Sequence, residues 1–559
     1  MIARSVLVFF VCVLATTAPA QLLDGFSATF DRCDTLRGSL RPERTCFDVT
    51  SYDLALDIEF ADSSIAGTNA VHFTVVEPTD RIQLDLFENM VIDRVVDAGT
   101  GAELDVEREC AAVFIDLGRT VPVGERMVLK VHYHGRPRVA VNAPWDGGFT
   151  WTTDGAGHPW LGVSCQGIGA SLWWPNKDHL SDEPDSMRIT ATVPPALSLV
   201  ANGELERGEL GPEDSVYTWR VGYPINNYNV TLNVGDYTAF FDTYTSSDGR
   251  ELALQYYVLP EHLDTARVHF QQVKPMLACY ETYLGDYPFW EDGFALVETP
   301  YLGMEHQGAI AYGNGYQPGY AGWDYSRIGL DFDYIIIHEA GHEWWGNSVS
   351  VADIADLWIH EGFCTYSEAI YVECLHGYDT AMAYINAKKP FIGNEHPVLG
   401  IHGVNHEGDG DMYSKGMLFL NTLRHLVDDD EAWWAGIKTL VDERFAQSIV
   451  STDDILGFFN ETFDKDFTAT FEQYLAHPHI PVLLYRLEDR GDGRHRMTYR
   501  WLADADGFDM PVRIHTPDGG WRWIRPSATL QRLTLEMDDA EDLRFDTDRF
   551  YFDTKRYDL

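Results

Sequence analysis

The sequence predicts an α+β protein of several domains. Three observations carry that prediction. From 21 to 257, apolar and polar residues alternate with period two in short runs, separated by turn residues and without long helical periodicity. From 258 to 477 the pattern becomes helical, with a greasy run at 332–345 and another at 361–375. After Pro478 and Pro481 the alternation returns and continues to the end. A chain of 559 residues has room for two to four domains, and an apolar content of 45% is ample for their cores. The expected division is an export signal at 1–20, an antiparallel β domain at 21–257, a mixed domain at 258–477 and a small β-sandwich at 478–559.

The first segment reads as a signal peptide. Arg4 supplies the positive start, 5–15 is apolar but too short to span a bilayer, and Ala18-Pro19-Ala20 is a small-x-small cleavage site before Gln21. No later apolar run has spanning length. A soluble, exported protein is expected, in the periplasm or the medium. Seven cysteines follow the signal, an odd number and not the composition of a disulfide framework. Cys33 and Cys46 flank a polar loop and are candidates for one bridge. Cys364 and Cys374 share one helical run, about 15 Å apart in rise, so they cannot bond to each other; both are expected as small core residues.

Charge narrows the function. The chain holds 87 acidic and 41 basic residues, a net charge of −46 spread along its length. A phosphate backbone would be repelled, which excludes nucleic acid as a partner. A halophilic surface, screened by high salt, is one reading of this balance; a merely acidic exported protein is the other.

In the β segment, 52–58, 70–75 and 188–193 alternate cleanly. Ser164-Cys165-Gln166 is followed by Trp173 and Trp174, which are expected to pack between layers rather than touch a ligand. In the final segment, Arg490-Gly491-Asp492-Gly493 joins two alternating runs and reads as a hairpin turn.

The chemistry concentrates at 331–361. His338-Glu339-Ala340-Gly341-His342 places two imidazoles four residues apart, on one face of a helix. Two such histidines point at one spot, as metal ligands must, and Glu339 lies beside them where a carboxylate can work on water. Eighteen residues later, Glu361 opens the second helical run and can complete a His-His-Glu set with the fourth position left for water. Glu368, two turns beyond Glu361, is either a carboxylate behind a ligand imidazole or a solvent-facing charge; Asp331, Asp333 and Asp356 are weaker candidates for the former. The loop 401–411 is rich in Gly and Asp. His402 and His406 within it are expected to be solvated, and it delivers Tyr413 to a helix start.

These motifs resemble those of the aminopeptidase N-like gluzincin family of zinc metallopeptidases. The HExxH-x18-E pattern lies in a W-x-x-E-G-F context, Gly303-Met304-Glu305 resembles part of that family's G-x-M-E-N motif, and Tyr413-Ser414-Lys415-Gly416 resembles its Y-x-K-G motif. The resemblance implies a saddle-shaped N-terminal β domain beside a thermolysin-like catalytic domain, and a shorter bacterial branch without the large C-terminal helical domain. It implies one zinc ion on His338, His342 and Glu361. Glu339 is then the general base, and Tyr413 the donor to the oxyanion. Glu305 with Gln166 would bind the free α-amine of a peptide, and backbone near Gly303 and Met304 would align that peptide as an added strand. Leu302 and His306 depart from the family motif at its first glycine and its asparagine. Two alternatives stand beside the aminopeptidase: an endopeptidase with the same metal chemistry, and a catalytically silent peptide-binding relative.

Overall fold

The computed structural model describes residues 29–517 and 519–557. The expected signal segment 1–20 lies outside the described residues. The chain opens with a short helix α1 (Arg32–Gly38), capped by a reciprocal Asp31–Asp34 capping box. A disulfide from Cys33 to Cys110, Cα atoms 5.8 Å apart, pins this helix to a β-turn 77 residues on. The expected Cys33–Cys46 bridge is therefore not made. Cys46 is a buried free thiol, 3% exposed among the apolar side chains of the first core.

The β segment builds an eight-stranded, a four-stranded and a three-stranded sheet. Alternation in the sequence becomes alternation in burial: Tyr52, Leu54, Leu56 and Ile58 are buried, whereas Asp53, Ala55 and Asp57 are not. Trp173 and Trp174 are fully buried in this core, and Trp174 meets Tyr52 edge to face at 4.9 Å. The expectation of a wholly antiparallel domain is corrected at one place. Strand Phe47–Glu59 pairs in parallel with Ser186–Val193, in register Ser51 to Ser186. Parallel neighbours need a long crossover, and the intervening strands and loops supply it.

The second sheet system starts earlier than expected. Strands Thr238–Thr245 and Glu251–Val258 belong to a five-stranded sheet with Phe294–Glu298, Ile310–Tyr312 and, at its edge, Gly303–Met304. Both strands begin before the boundary expected after 257. Glu251–Val258 pairs in parallel with Phe294–Glu298, a contact invisible in local periodicity. Helices α2 (Val273–Tyr283), α3 (Tyr334–Gly341), α4 (Trp358–His376) and α5 (Ser414–Val427) pack below it. A second disulfide, Cys279 to Cys374, ties α2 to α4 across 95 residues. Cys374 is therefore not the free core residue expected, because α2 lies alongside the last turns of α4; Cys364 is buried and free, as expected.

The C-terminal strands form a four-stranded and a three-stranded sheet. Their apolar faces share one continuous core with the helices, through Leu483, Trp501 and Val512. The Arg490–Gly493 segment is a tight hairpin turn: Gly491 faces Arg494, and Asp492 and Gly493 both take positive φ, as a two-residue primed turn requires. Among the described residues, no helix is long and apolar enough to cross a membrane.

Polar contacts join the β segment to the helices. Asn226 Nδ2 donates to the Gly346 carbonyl (2.6 Å), Asn229 Nδ2 to Asn347 Oδ1 (2.6 Å), and Ser350 Oγ to Glu183 Oε1 (2.6 Å). Burial pushes the Glu183 carboxyl up to about 7, with the Ser350 bond opposing and Asp182 adding. A carboxyl raised in the folded state contributes its full stability below its ordinary value near 4.3, and that contribution is lost as pH rises through about 7. Glu183→Gln is expected to melt like the parent near about pH 5 and to lose less thermal stability than the parent by about pH 8. Parallel losses in both proteins, followed by circular dichroism, would contradict this.

Candidate active site

Asp333 caps α3 by accepting from the backbone N–H groups of Ile335 (3.0 Å) and Ile336 (3.4 Å). This orients a helix buried on nearly every side, from Ile335 to Gly341. The helix ends sooner than the sequence predicts, and His342 occupies its C-cap position. His338 and His342 still share a face. Their Nε2 atoms lie 3.3 Å apart, and Glu361 Oε2 lies 3.5 Å from each. For ligand bonds of about 2.0–2.1 Å, the edges of a tetrahedron are about 3.3–3.4 Å, so these three atoms form one face of a tetrahedral site. Glu361 Oε2 is buried with no hydrogen-bond partner among the described residues, as a ligand atom facing a cation would be.

The other ring nitrogens are spoken for. His342 Nδ1 lies 2.9 Å from the Trp345 carbonyl, and His338 Nδ1 lies 2.8 Å from Glu368 Oε1. An N–H on each Nδ1 leaves each Nε2 lone pair free for a metal. Glu368 is fully buried and also accepts from Tyr384 Oη (2.5 Å) and Lys388 Nζ (2.6 Å). Burial alone would raise its carboxyl, but Lys388 and His338 outweigh it and bring it down to about 2. Of the two positions open to Glu368 in the sequence, it takes the one behind the imidazole. Asp331, Asp333 and Asp356 do not share that place. Asp331 meets His376 (3.0 Å), Asp333 caps α3, and Asp356 accepts from Thr452 Oγ1 (2.6 Å) and pairs with His402 (3.0 Å). The buried Cys364 thiol donates to the His338 carbonyl (2.7 Å).

Glu305 lies at one end of this cluster, 2% exposed. Gln166 Nε2 donates to its Oε1 (2.6 Å) and also to Glu361 Oε1 (2.9 Å), so one amide spans both carboxylates. Tyr228 Oη donates to the same Glu305 oxygen (3.0 Å). Burial pushes the Glu305 carboxyl up to about 7; His342 opposes, and Glu361 and Glu339 add. Gly303 and Met304 form the outer strand of the sheet, paired on one side with Tyr312 and Ala311. A side chain at Gly303 would collide there, since an added Cβ would sit 2.9 Å from Glu339 Oε1 and 2.7 Å from Ile335. Glu339 is buried, and burial raises its carboxyl. The ring of Tyr413, at the N-cap of α5, lies parallel to that of His338 with centroids 6.0 Å apart. Burial, then the carboxylates of Glu361 and Glu305, keeps its phenol protonated. Helices α4 and α5 can bring Glu361 and Tyr413 together because they cross at two glycines: a Cβ on Gly416 would sit 2.8 Å from the Gly362 Cα.

Four site residues escape sequence reasoning. Tyr228 and Lys388 carry no local motif, and Tyr384 reads as an ordinary helix residue. Glu407 is read as part of a polar loop, yet it is 8% exposed, and its Oε2 has no partner among the described residues. Burial, then Glu361, pushes its carboxyl up to about 8. His306, at the departure from the family motif, is fully buried with neither ring nitrogen bonded among the described residues, and burial holds it neutral, down to about 3. A small cavity of about 40 Å³ is lined by Gln166 and Tyr228 together with Asp178, His179, Ile354 and Leu357.

The sequence and the fold have known counterparts. Residues 269–474 match the model of the peptidase family M1 domain. Over those residues the chain is similar to an M1 peptidase domain. Aminopeptidase N of Streptomyces lividans is 25% identical over 338 residues, 56% of this chain and 38% of that protein. Aminopeptidase N of Escherichia coli K12 is 29% identical over 299 residues, 51% of this chain and 33% of the relative. Aminopeptidase B of Rattus norvegicus is 32% identical over 145 residues, 23% of this chain and 22% of the relative. The matched stretches thus span well under half of these relatives. An M1 zinc metallopeptidase from Deinococcus radiodurans, solved with a Tyr-Ser-Ala substrate, superposes with a TM-score of 0.64 over 79% of this chain and 97% of that one, at 21% identity. It shares the fold of the M1 domain and its β partner.

Because Glu368 sets the proton position on His338, Glu368→Gln is expected to weaken binding of a divalent metal such as zinc by about 10–100-fold. Competition against a chromophoric chelator measures this, and unchanged affinity would contradict the assignment.

Proposed function

We propose that this protein is an exported zinc aminopeptidase that removes the first residue from peptides. The observation that carries this reading is the buried Glu305, held by Gln166 and Tyr228 at one end of the His338–His342–Glu361 face. A carboxylate walled in at that distance from a metal face suits a free α-ammonium one residue from the scissile bond. An internal stretch of peptide would leave it buried and unpaired, which disfavours the endopeptidase alternative.

His338, His342 and Glu361 would hold the zinc, which supplies Lewis acidity and lowers the pKa of water. Glu339, raised by burial, takes the proton of the attacking water and passes it to the departing amine. Tyr413, held protonated, donates to the carbonyl oxygen as that oxygen gains charge. Glu305 and Gln166 bind the α-amine, and the outer strand at Gly303 and Met304 pairs with the substrate backbone. The intact Glu339 and Tyr413 argue against a silent binding protein. Two disulfides support an oxidising compartment, in line with the signal-like start of the sequence. The acidic balance supports activity that holds or rises in molar salt.

Purified protein is expected to cleave aminoacyl amides with a free amine and to spare their acetylated forms, to lose activity with a chelator and to regain it with zinc. Glu339→Gln is expected to lower kcat by about a thousandfold with zinc still bound. Cleavage of the acetylated substrates would transfer the assignment to an endopeptidase, and near-normal activity in Glu339→Gln would remove the proposed base.

A further inference from the structure

We infer that an exposed aromatic surface formed by Trp323, Tyr325 and Phe391 is the docking site for apolar side chains of the substrate on the leaving side of the scissile bond. The inference rests on the aminopeptidase reading and adds a preference at the second and third residues of the peptide.

Large aromatic side chains are seldom left clustered in solvent without a purpose. Here Trp323 is 54% exposed, Tyr325 41% and Phe391 53%, and the Tyr325 ring contacts both others, with centroids 4.3 Å apart for Trp323–Tyr325 and 4.0 Å for Tyr325–Phe391. The patch continues inward. Tyr320 is bridged to Trp323 by two backbone hydrogen bonds, and its ring meets Tyr334 at 5.4 Å. Tyr334 in turn stacks on the ligand imidazole of His338, rings 13° from parallel and 5.1 Å apart.

Polarity of the site decides which end of a peptide the patch receives. Glu305 clusters with Glu339 and His342, their ligand atoms within 4.8 Å of one another. Tyr334, one helical turn before His338 on α3, lies against that imidazole, and Tyr320 lies against Tyr334. A peptide with its amine on Glu305 and its first carbonyl at the metal face therefore leaves over His338, toward Tyr334, Tyr320 and the exposed rings. The loop is built to hold this shape before a ligand arrives. Asn314 Nδ2 donates to Asp333 Oδ1 (2.8 Å) and to the Gly319 carbonyl (2.8 Å), its Oδ1 accepts from Ala321 (2.8 Å), and Asp324 Oδ2 accepts from the N–H groups of Ser326 (2.9 Å) and Gly329 (3.1 Å). Asp333 is also the cap of α3, so loop and metal ligands are braced by one carboxylate. A preformed aromatic surface binds apolar side chains with little ordering cost.

The test compares Leu-Phe-Leu with Leu-Gly-Gly, which share a first residue. Wild type is expected to favour Leu-Phe-Leu in kcat/KM by about tenfold or more. In Trp323→Ala and in Phe391→Ala that ratio is expected to fall to about twofold, through a higher KM for Leu-Phe-Leu, and in Trp323→Phe to be largely kept. Thermal midpoints by circular dichroism check that the variants fold. A wild-type ratio near one, an unchanged ratio in the alanine variants, or equal slowing of both peptides through kcat would overturn the docking surface while leaving the aminopeptidase reading in place. No cleavage of either peptide by zinc-loaded wild type would overturn both.

Discussion

The close crossing of α4 and α5 at Gly362 and Gly416 is the constraint on which the site depends. Glu361 precedes the first glycine and Tyr413 lies three residues before the second. Any side chain at Gly416 would meet backbone, with the Gly362 Cα at 2.8 Å, and the helices would have to part. Parting them would carry the carboxylate and the phenol away from the imidazole pair. Gly303 does the same service on the other wall, where the outer strand passes so near Glu339 that a methyl group has no room. The chemistry is thus set by backbone approach before any polar contact is counted.

That approach gathers an excess of negative charge. Glu305, Glu339, Glu361, Glu368 and Glu407 are all buried, and Lys388 bonds to Glu368 alone among them. Burying carboxylates together is costly, and burial raises Glu305 to about 7 and Glu407 to about 8. Such a site is complementary to cations. The geometry separates the places for them: a tetrahedral face on His338, His342 and Glu361, and a pocket on Glu305, Gln166 and Tyr228. A divalent metal suits the first and an ammonium group the second.

The β segment is more than a support. Gln166 and Tyr228 reach into the site from it, while Asn226, Asn229 and Glu183 fix it to the helical part. A shift between the two parts would therefore move Gln166 and Tyr228 relative to Glu305 directly. The disulfides act one on each side of this junction, Cys33–Cys110 within the β segment and Cys279–Cys374 within the helices, so each part is braced internally.

What the sequence by itself determined was local and periodic. Period-two runs placed the strands, and an i, i+4 histidine pair with Glu339 between placed three site residues on one helix, because helical and strand geometry repeat within a few residues. The hairpin at Asp492-Gly493 was legible for the same reason. Tertiary structure decided what depends on chain closure over long separations. Gln166, placed in the site by resemblance alone, meets Glu361 across 195 residues, and Tyr228 meets Glu305 across 77 with no local pattern to announce it. The side on which Glu368 falls, the partners of Cys33 and Cys374 and the parallel strand pairs all turn on which elements become neighbours. Periodicity says which face of an element is buried; only packing says against what.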